Sequence, residues 1–149
     1  MVNTLTENFK IQRVSNAVAA GTTDINSSSV DMQGSESVTF VVALGAIVAG
    51  AVTSVKAQQS SDDGVADAFA DLAGSAITVA DDDDNQLVAL EIVRPRERYV
   101  RCTVDRATQN ATVDGIVALL GAPKLAAVTH DTATVVGSEV HASPGEGTA

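Results

Sequence analysis

The residues of this chain best suited to chemistry are one cysteine, Cys102, and two histidines, His130 and His141. Cys102 falls between Val100 and Val104 in an alternating run, so we expect it to point inward from a strand. A free cysteine in that setting behaves as a small apolar side chain, whereas a reactive thiol needs a polar, partly exposed site. One cysteine and two isolated histidines also fall short of the usual structural zinc site. We therefore predict no catalytic residue, no metal and no enzymatic activity.

A run of acidic residues, Asp81 to Asn85, is the most conspicuous polar feature. A calcium loop alternates its oxygen ligands and ends on a distal Glu, but these acids are consecutive. We interpret the run as a solvated hairpin loop, with weak divalent binding left open. Gly45 and Gly50 have the spacing of a phosphate loop, but no Lys follows them to bind phosphate. The sequence therefore predicts no cofactor.

The segment RPRERYVR at 94–101 gives the strongest functional signal. Arginine presents a planar set of donors that fits carboxylates, so a cluster of this kind suits a protein interface. Pro95 should end the preceding strand, which places Arg94 and Arg96 in a loop. An equally open interpretation is an exposed strand edge guarded by charges against aggregation. The predicted interface residues are Arg94, Arg96, Arg98, Tyr99 and Arg101.

Charge is unevenly distributed along the 149 residues, whose formal net charge is −10. Residues 62–84 carry eight acids and no base, and residues 94–106 carry five of the nine bases. The excess of acids opposes binding to nucleic acid and to anionic membranes, so neither is predicted as a partner. The separation of the two signs favours contacts between complementary patches. The N-terminus shows no signal-peptide pattern, which predicts folding in the cytoplasm.

Period-2 alternation predicts strands within 38–44, 52–58, 86–93 and 98–105, and the apolar run 112–120 predicts a strand buried on both faces. The uncharged stretch 37–55 approaches the length of a membrane span. Its glycines and small residues favour two strands joined by a short connection instead. Residues 65–73 fit either a helix or an edge strand, and we expect 98–105 and 112–120 to form a hairpin.

These strands predict an all-β fold, a jelly-roll-like β-sandwich with short helical turns and flexible termini. We divide the chain into an N-terminal strand and extended arm at 1–30, a sandwich domain at 31–137 and a flexible C-terminal tail at 138–149. Short turn-rich segments set these limits.

Four phrases of the sequence resemble the capsid cement, or decoration, proteins of tailed bacteriophages. They are VSNAVAAGTT at 14–23, VKAQQSSDDG at 55–64, FADLAGSA at 69–76 and RPRERYVR at 94–101. The group they are most similar to includes the cement protein of short-tailed Bordetella phage. The resemblance covers roughly residues 5–125, and its motifs are short phrases with no catalytic signature.

The resemblance implies a jelly-roll-like domain bound to the outside of a capsid shell, with the major capsid protein as partner. It implies self-association, as a dimer or possibly a trimer, that bridges neighbouring capsomers. The protein would be part of the virion and would assemble in the cytoplasm of the host bacterium. Two alternatives stay open: another phage structural subunit, such as a head–tail connector or tail component, and a carbohydrate-binding jelly roll. Sugar sites use exposed aromatic rings, and a chain with no Trp and one Tyr disfavours the second.

Overall fold

A computed structural model describes residues 4–124, 127–143 and 145–146. Strands make up 47% of it and helix 3%, which confirms the all-β prediction. The described elements are one helical turn, α1 (Leu5–Asn8), and the strands β1 (Lys10–Ser15), β2 (Val18–Gly21), β3 (Ile25–Asn26), β4 (Val30–Asp31), β5 (Ser37–Ile47), β6 (Val52–Ser60), β7 (Ala70–Asp71), β8 (Ile77–Val79), β9 (Leu87–Val93), β10 (Tyr99–Ala107) and β11 (Ala111–Gly121).

The strands form two antiparallel sheets that pack face to face. Sheet A has the order β1-β11-β5-β9, and β2 also pairs with β11. Sheet B has the order β3-β10-β6-β7, with β4 beside β10 and β8 beside β6. If β1–β2, β3–β4 and β7–β8 are each counted as one interrupted strand, the eight positions run 1-8-3-6 and 2-7-4-5. This is the order of a jelly roll, so the predicted sandwich is confirmed.

The core lies between the sheets and is built from the inward side of each alternating strand. Val38 and Phe40 of β5 and Val100 and Val104 of β10 are fully buried there. Phe40 is the largest fully buried side chain of the described residues, and most of its neighbours are aliphatic. Cys102 is also fully buried, as its place in the alternation predicted. β-branched residues pack well on a pleated surface, which explains how a chain with few aromatics fills this core.

The predicted hairpin of β10 and β11 is wrong. A short turn at 108–110 joins these strands, but β10 pairs with β6 in sheet B and β11 pairs with β5 in sheet A. The acidic run 81–85 likewise connects β8 of sheet B with β9 of sheet A, so it is not a hairpin loop. Alternation identifies a strand and its buried face, but it does not identify the neighbouring strand. In the stretch 65–73 the structure has no helix, and the edge-strand alternative holds only for Ala70–Asp71, which pair with β6 as β7.

The strands of the sandwich begin at Lys10, because β1 to β4 pair with β10 and β11. Further along the chain, His130 Nδ1 accepts a hydrogen bond from the N–H of Ile11 at 3.1 Å. Thr134 Oγ1 accepts one from the N–H of Arg13 at 3.2 Å. The division into arm, sandwich and tail stays a prediction about domains, and residues 1–3, 144 and 147–149 of the arm and tail lie outside the described residues. Within those residues no helix is both long and apolar enough to cross a membrane.

Candidate interaction surfaces

The arginine loop, Arg94–Arg98, connects β9 of sheet A to β10 of sheet B at one end of the sandwich. β9 ends at Val93, and Arg94 then adopts a left-handed conformation with φ of 50°. Its N–H donates to the carbonyl of Glu36 at 2.7 Å. The chain therefore leaves sheet A where Pro95 predicted, and Arg94 and Arg96 lie in a loop.

Two arginines of this loop point into solvent. The Arg94 side chain is 80% exposed, and its Nε lies 3.5 Å from a carboxylate oxygen of Glu36. An exposed ion pair of this length is weak, so it leaves the guanidinium open to another carboxylate. Arg96 is exposed and has no ion pair within 4 Å among the residues that the structure describes. Both side chains could therefore contact a partner without breaking a strong intrachain bond.

Arg98 makes a two-pronged contact with Asp31 of β4. Its Nε and Nη2 donate to the two carboxylate oxygens at 2.9 and 2.7 Å. The hydrogen bond from Arg98 lowers the pKa of Asp31, and the same bond raises the pKa of Arg98. The guanidinium also lies 5.1 Å from the ring centroid of Tyr99, within cation–π distance. Arg98 thus fastens β4 to the loop, which is an intrachain role.

Arg101 lies away from the loop, on the outer face of sheet B. Its Nε donates to Gln58 at 2.8 Å, and its guanidinium sits 4.2 Å from the centroid of the Phe69 ring. Burial under these neighbours lowers the pKa of Arg101. The structure therefore does not unite the five predicted residues in one patch, and their role at an interface stays a prediction.

Elsewhere on the outer face of sheet B, polar side chains form ion pairs and hydrogen bonds with one another. Lys56 bridges Asp71 and Asp105 at 3.0 and 3.1 Å. The hydrogen bonds that Lys56 donates to Asp71 and to Asp105 raise the pKa of Lys56, that to Asp71 the most. Thr103 donates to Asn26 at 2.9 Å. A surface satisfied in this way offers few unpaired groups to a partner.

The outer face of sheet A is apolar, and the interface prediction missed it. The register places Arg13, Val117, Val41 and Ala89 in one row across four strands. Ile11, Leu119, Thr39 and Glu91 form the next row. Val41, Val117, Ile11 and Leu119 are half-buried, and the flanking Leu87 and Val93 are 68% and 64% exposed. We call these rows and flanks the apolar face.

The sequence contained a signal for the apolar face. The first part of the uncharged stretch 37–55 becomes β5 and the run 112–120 becomes β11, and these are the two central strands of sheet A. A strand with apolar side chains on both faces is usually packed against other elements on both faces. The prediction that 112–120 is buried on both faces is therefore wrong for the outer side, where the residues are only partly buried and Asp114 is exposed.

Arg106 is the last of the five arginines in the basic segment 94–106, and only 5% of it is exposed. Its Nε donates to the carbonyl of Thr23 at 2.7 Å. Its Nη1 donates to the carbonyls of Ala19 and Ala111 at 3.0 and 2.6 Å. Burial lowers its pKa. Arg106 thus holds the β2–β3 connection against β11 and is part of the framework of the fold.

The acidic run caps backbone groups of the turn between β5 and β6. Asp84 accepts from the N–H of Ile47 at 2.6 Å, and Asp81 accepts from the N–H of Gly50. Asp83 accepts from Ala80 within the run itself. In the described part of the chain, no three His, Cys, Asp or Glu side chains form a group that could hold a metal ion. The carboxylates therefore serve as local hydrogen-bond acceptors.

No protein-family model matches this chain, and a search of curated proteins finds no significant match.

Proposed function

We propose that this protein is a capsid cement protein, which binds the outer surface of a tailed-phage head and stabilises the shell. In the virion it would contact the major capsid protein and bridge neighbouring capsomers. The observation that supports this proposal best is the apolar face of sheet A. The resemblance of the four sequence phrases supplies the kind of partner.

The two outer faces of the sandwich differ in the side chains that they leave available to a partner. Sheet B closes its polar groups on one another, as the Lys56 bridge illustrates. The apolar face of sheet A instead presents adjacent aliphatic side chains to solvent. A contiguous patch of this kind commonly marks a protein-binding surface. The function we propose therefore uses sheet A.

The chemistry of the apolar face fits a protein partner better than a sugar. Its rows consist mainly of Val, Leu, Ile and Ala, without a Tyr or Trp ring for stacking. Val93 at its margin leads directly into Arg94 of the arginine loop. An apolar centre with arginine at the rim is the usual composition of a protein interface. This arrangement argues against the carbohydrate-binding alternative.

The mechanism would be thermodynamic and would need no chemical step. A ligand that binds only the expanded shell stabilises that state by mass action, according to its concentration and affinity. A domain that contacts two capsomers at once also adds its binding energy to their junction. Repeated over a symmetric shell, small contributions would make the container resistant to internal pressure.

The direct test is binding of the purified protein to expanded shells that lack it, measured by co-sedimentation over a range of protein concentrations. Wild type is expected to saturate the shells with a fixed copy number. Val117→Lys is expected to weaken binding at least tenfold, about 1.4 kcal/mol, by placing a charge on the apolar face. Val52→Lys makes the same replacement on a 62% exposed valine of β6 and should bind normally.

A second pair of variants tests the arginine loop. Arg94→Gln with Arg96→Gln lowers the net charge by two and should reduce shell occupancy. Gln109→Glu with Asn110→Asp lowers it equally at the opposite end of the sandwich and should not. Each variant is first checked for a wild-type unfolding temperature. Failure of wild type to bind shells, or its binding to isolated tails or connectors instead, would overturn the proposal.

A further inference from the structure

Strand β9 forms an open edge of sheet A. It pairs with β5 on one side through an uninterrupted register from Leu87 to Val93, without a bulge. Glu91 is its single charged residue, and it contains no proline. An edge strand that is long, regular and mostly apolar is a template for pairing with another strand.

The other edges of the two sheets are covered or short. Backbone N–H groups of β1 are capped by His130 and Thr134. The outer segments of sheet B, β3, β4, β7 and β8, are two or three residues long. Among the described strands, β9 therefore offers the longest uncovered row of backbone groups.

The alternation of backbone hydrogen bonds along β9 shows which of its N–H and C=O groups point away from β5. The N–H of Leu44 donates to the carbonyl of Gln86, and the N–H of Arg94 donates to that of Glu36. In an antiparallel ladder the bonded residues recur every second position, so the even residues of β9 bond to β5. The odd residues, Leu87, Ala89, Glu91 and Val93, therefore direct their N–H and C=O groups to the open edge.

We propose that β9 pairs antiparallel with β9 of a second copy of this chain, about a two-fold axis at Leu90. The two sheets A would then join into one continuous sheet, β1-β11-β5-β9 followed by the same strands in reverse order. The inference rests on the self-association included in the proposed function, but it does not depend on what else the protein binds.

The register follows from which residues would face each other. With the axis at Leu90, Leu87 lies opposite the second copy's Val93, and Ala89 lies opposite its Glu91. All four are odd residues, so their outward groups can bond. An axis at Glu91 would set two like charges directly opposite each other, which is unfavourable. An axis at Ala89 would set Leu87 against Glu91 and would leave Val93 unpaired.

The ends of β9 carry opposite charges, and this favours the antiparallel arrangement. The acidic run Asp81–Asp84 precedes the strand, and the arginine loop follows it. Seven residues of strand separate them by about 23 Å. Antiparallel pairing places the arginine loop of each copy beside the acidic run of the other, twice in the dimer. Complementary charges of this kind steer association and fix register.

Along β9, apolar side chains at the margin of the core also stay partly exposed to solvent. Val88 and Ile92, on the inner side of the strand, are only partly buried against the core. A groove beside them is lined by Ile77, Val79 and Leu87 together with the polar Thr78, Asp83 and Gln86. In the proposed register the second copy's Ile92 lies opposite Val88, on the groove side. Pairing would therefore cover apolar surface that a single copy leaves open.

Cysteine cross-linking tests the register directly. Opposed residues of a hydrogen-bonded pair have Cα atoms about 5.5 Å apart, which a disulfide can span. A mixture of Ala89→Cys chains with Glu91→Cys chains should give a cross-linked heterodimer on mild oxidation, and neither variant alone should do so. The native Cys102 is fully buried and should not compete. Val65→Cys, on an 86% exposed residue, measures cross-linking by random collision.

A charge swap tests the contact between the loops. Asp82 is exposed and has no polar contact among the described residues, so it can be changed without removing a cap. Arg94→Glu with Arg96→Glu should weaken the dimer at least tenfold by sedimentation velocity, and Asp82→Lys alone should weaken it less. Combining the three substitutions in one chain should restore part of the affinity, because the ammonium group introduced by Asp82→Lys then lies near the introduced carboxylates of the other copy, while Asp81, Asp83 and Asp84 stay acidic.

Three outcomes would overturn the inference. They are a monomeric mass at 100 μM, cross-linking of Ala89→Cys alone, and mixed cross-linking no faster than the Val65→Cys control. Shell binding is measured separately on the same preparations. A dimer that does not bind shells would contradict the proposed function alone, and a monomer that binds shells would contradict β9 pairing alone.

Discussion

Arg106 illustrates how differently the arginines of this chain are used. Its guanidinium is buried and donates to three backbone carbonyls, whereas Arg96 stands exposed in the arginine loop. Both residues are arginines of the same basic segment, so residue type alone does not distinguish the buried one from the exposed one. Position 106 continues the inward alternation of Val100, Cys102 and Val104, which places its side chain on the inner side of β10.

Replacing Arg106 by Leu should lower the free energy of unfolding by about 2–5 kcal/mol, because a buried guanidinium is lost and three backbone carbonyls, that of Ala111 fully buried, lose their donor. Arg106→Lys should recover little of it, since one ammonium group cannot reproduce the planar set of donors. Urea unfolding measures both. Arg96→Leu is the control and should stay within about 0.5 kcal/mol of wild type. Equal effects at positions 96 and 106 would contradict the framework role of Arg106.

Cys102 should make stability depend on pH in the alkaline range. Burial raises the pKa of its thiol to about 12. The folded chain therefore keeps a proton that the unfolded chain loses above about pH 8.5. The stabilisation is complete below that pH. It then falls by up to about 1.4 kcal/mol per pH unit until the thiol ionises in the folded state.

The comparison with Cys102→Ala isolates this effect, since other alkaline groups titrate in both proteins. Free energies of unfolding measured between pH 8 and 11 should fall more steeply for wild type than for the alanine variant. Identical slopes would contradict a buried, protonated thiol.

At the scale of elements, the acidic run fixes the turn between β5 and β6. Asp84→Ala should lower the free energy of unfolding by about 1–2 kcal/mol, because the N–H of Ile47 loses its acceptor. Asp82→Ala, two residues away and without such a contact, should change it by less than about 0.5 kcal/mol. Addition of calcium should leave both unfolding curves unchanged. A calcium-dependent shift abolished by Asp84→Ala would instead indicate an ion site.

Strand positions were predictable from the sequence because period-2 alternation reports local geometry. The stretches 38–44, 86–93 and 98–105 all became strands with the expected inward face. Pairing was less predictable, since the turn at 108–110 leads from one sheet to the other and no local pattern encodes that crossing. The same limit hid the apolar face, which arises from four strands that are distant in the chain.

The arginine loop was predictable from one residue, Pro95, and from the density of charge around it. What the sequence could not reveal is that Arg98 and Arg101 are engaged within the chain. Their partners, Asp31, Gln58 and Phe69, lie far away in sequence. An interface prediction based on a run of like residues therefore needed the fold to separate the arginines that point into solvent from those engaged within the chain.

At the scale of the whole molecule, the proposed function predicts a concentration-dependent stabilisation of shells. If the protein binds only the expanded state, raising its free concentration to about 100 times its Kd should add about 2.7 kcal/mol per site. The temperature at which shells rupture should keep rising with free protein even after the sites are nearly full. Val117→Lys should need a correspondingly higher concentration. A plateau at saturation would indicate binding to both states of the shell.

The position of β11 within sheet A also bears on how the protein is made. This strand is the last of the described ones to leave the ribosome, yet it lies between β1 and β5 and holds them together. Until residue 121 is synthesised, β5 has no neighbour on that side, and the nascent chain exposes apolar surface. Non-local pairings of this kind slow folding. The chain should therefore acquire protease resistance only after β11 has emerged from the ribosome, and a premature stop before β11 should yield aggregates instead of a shorter domain.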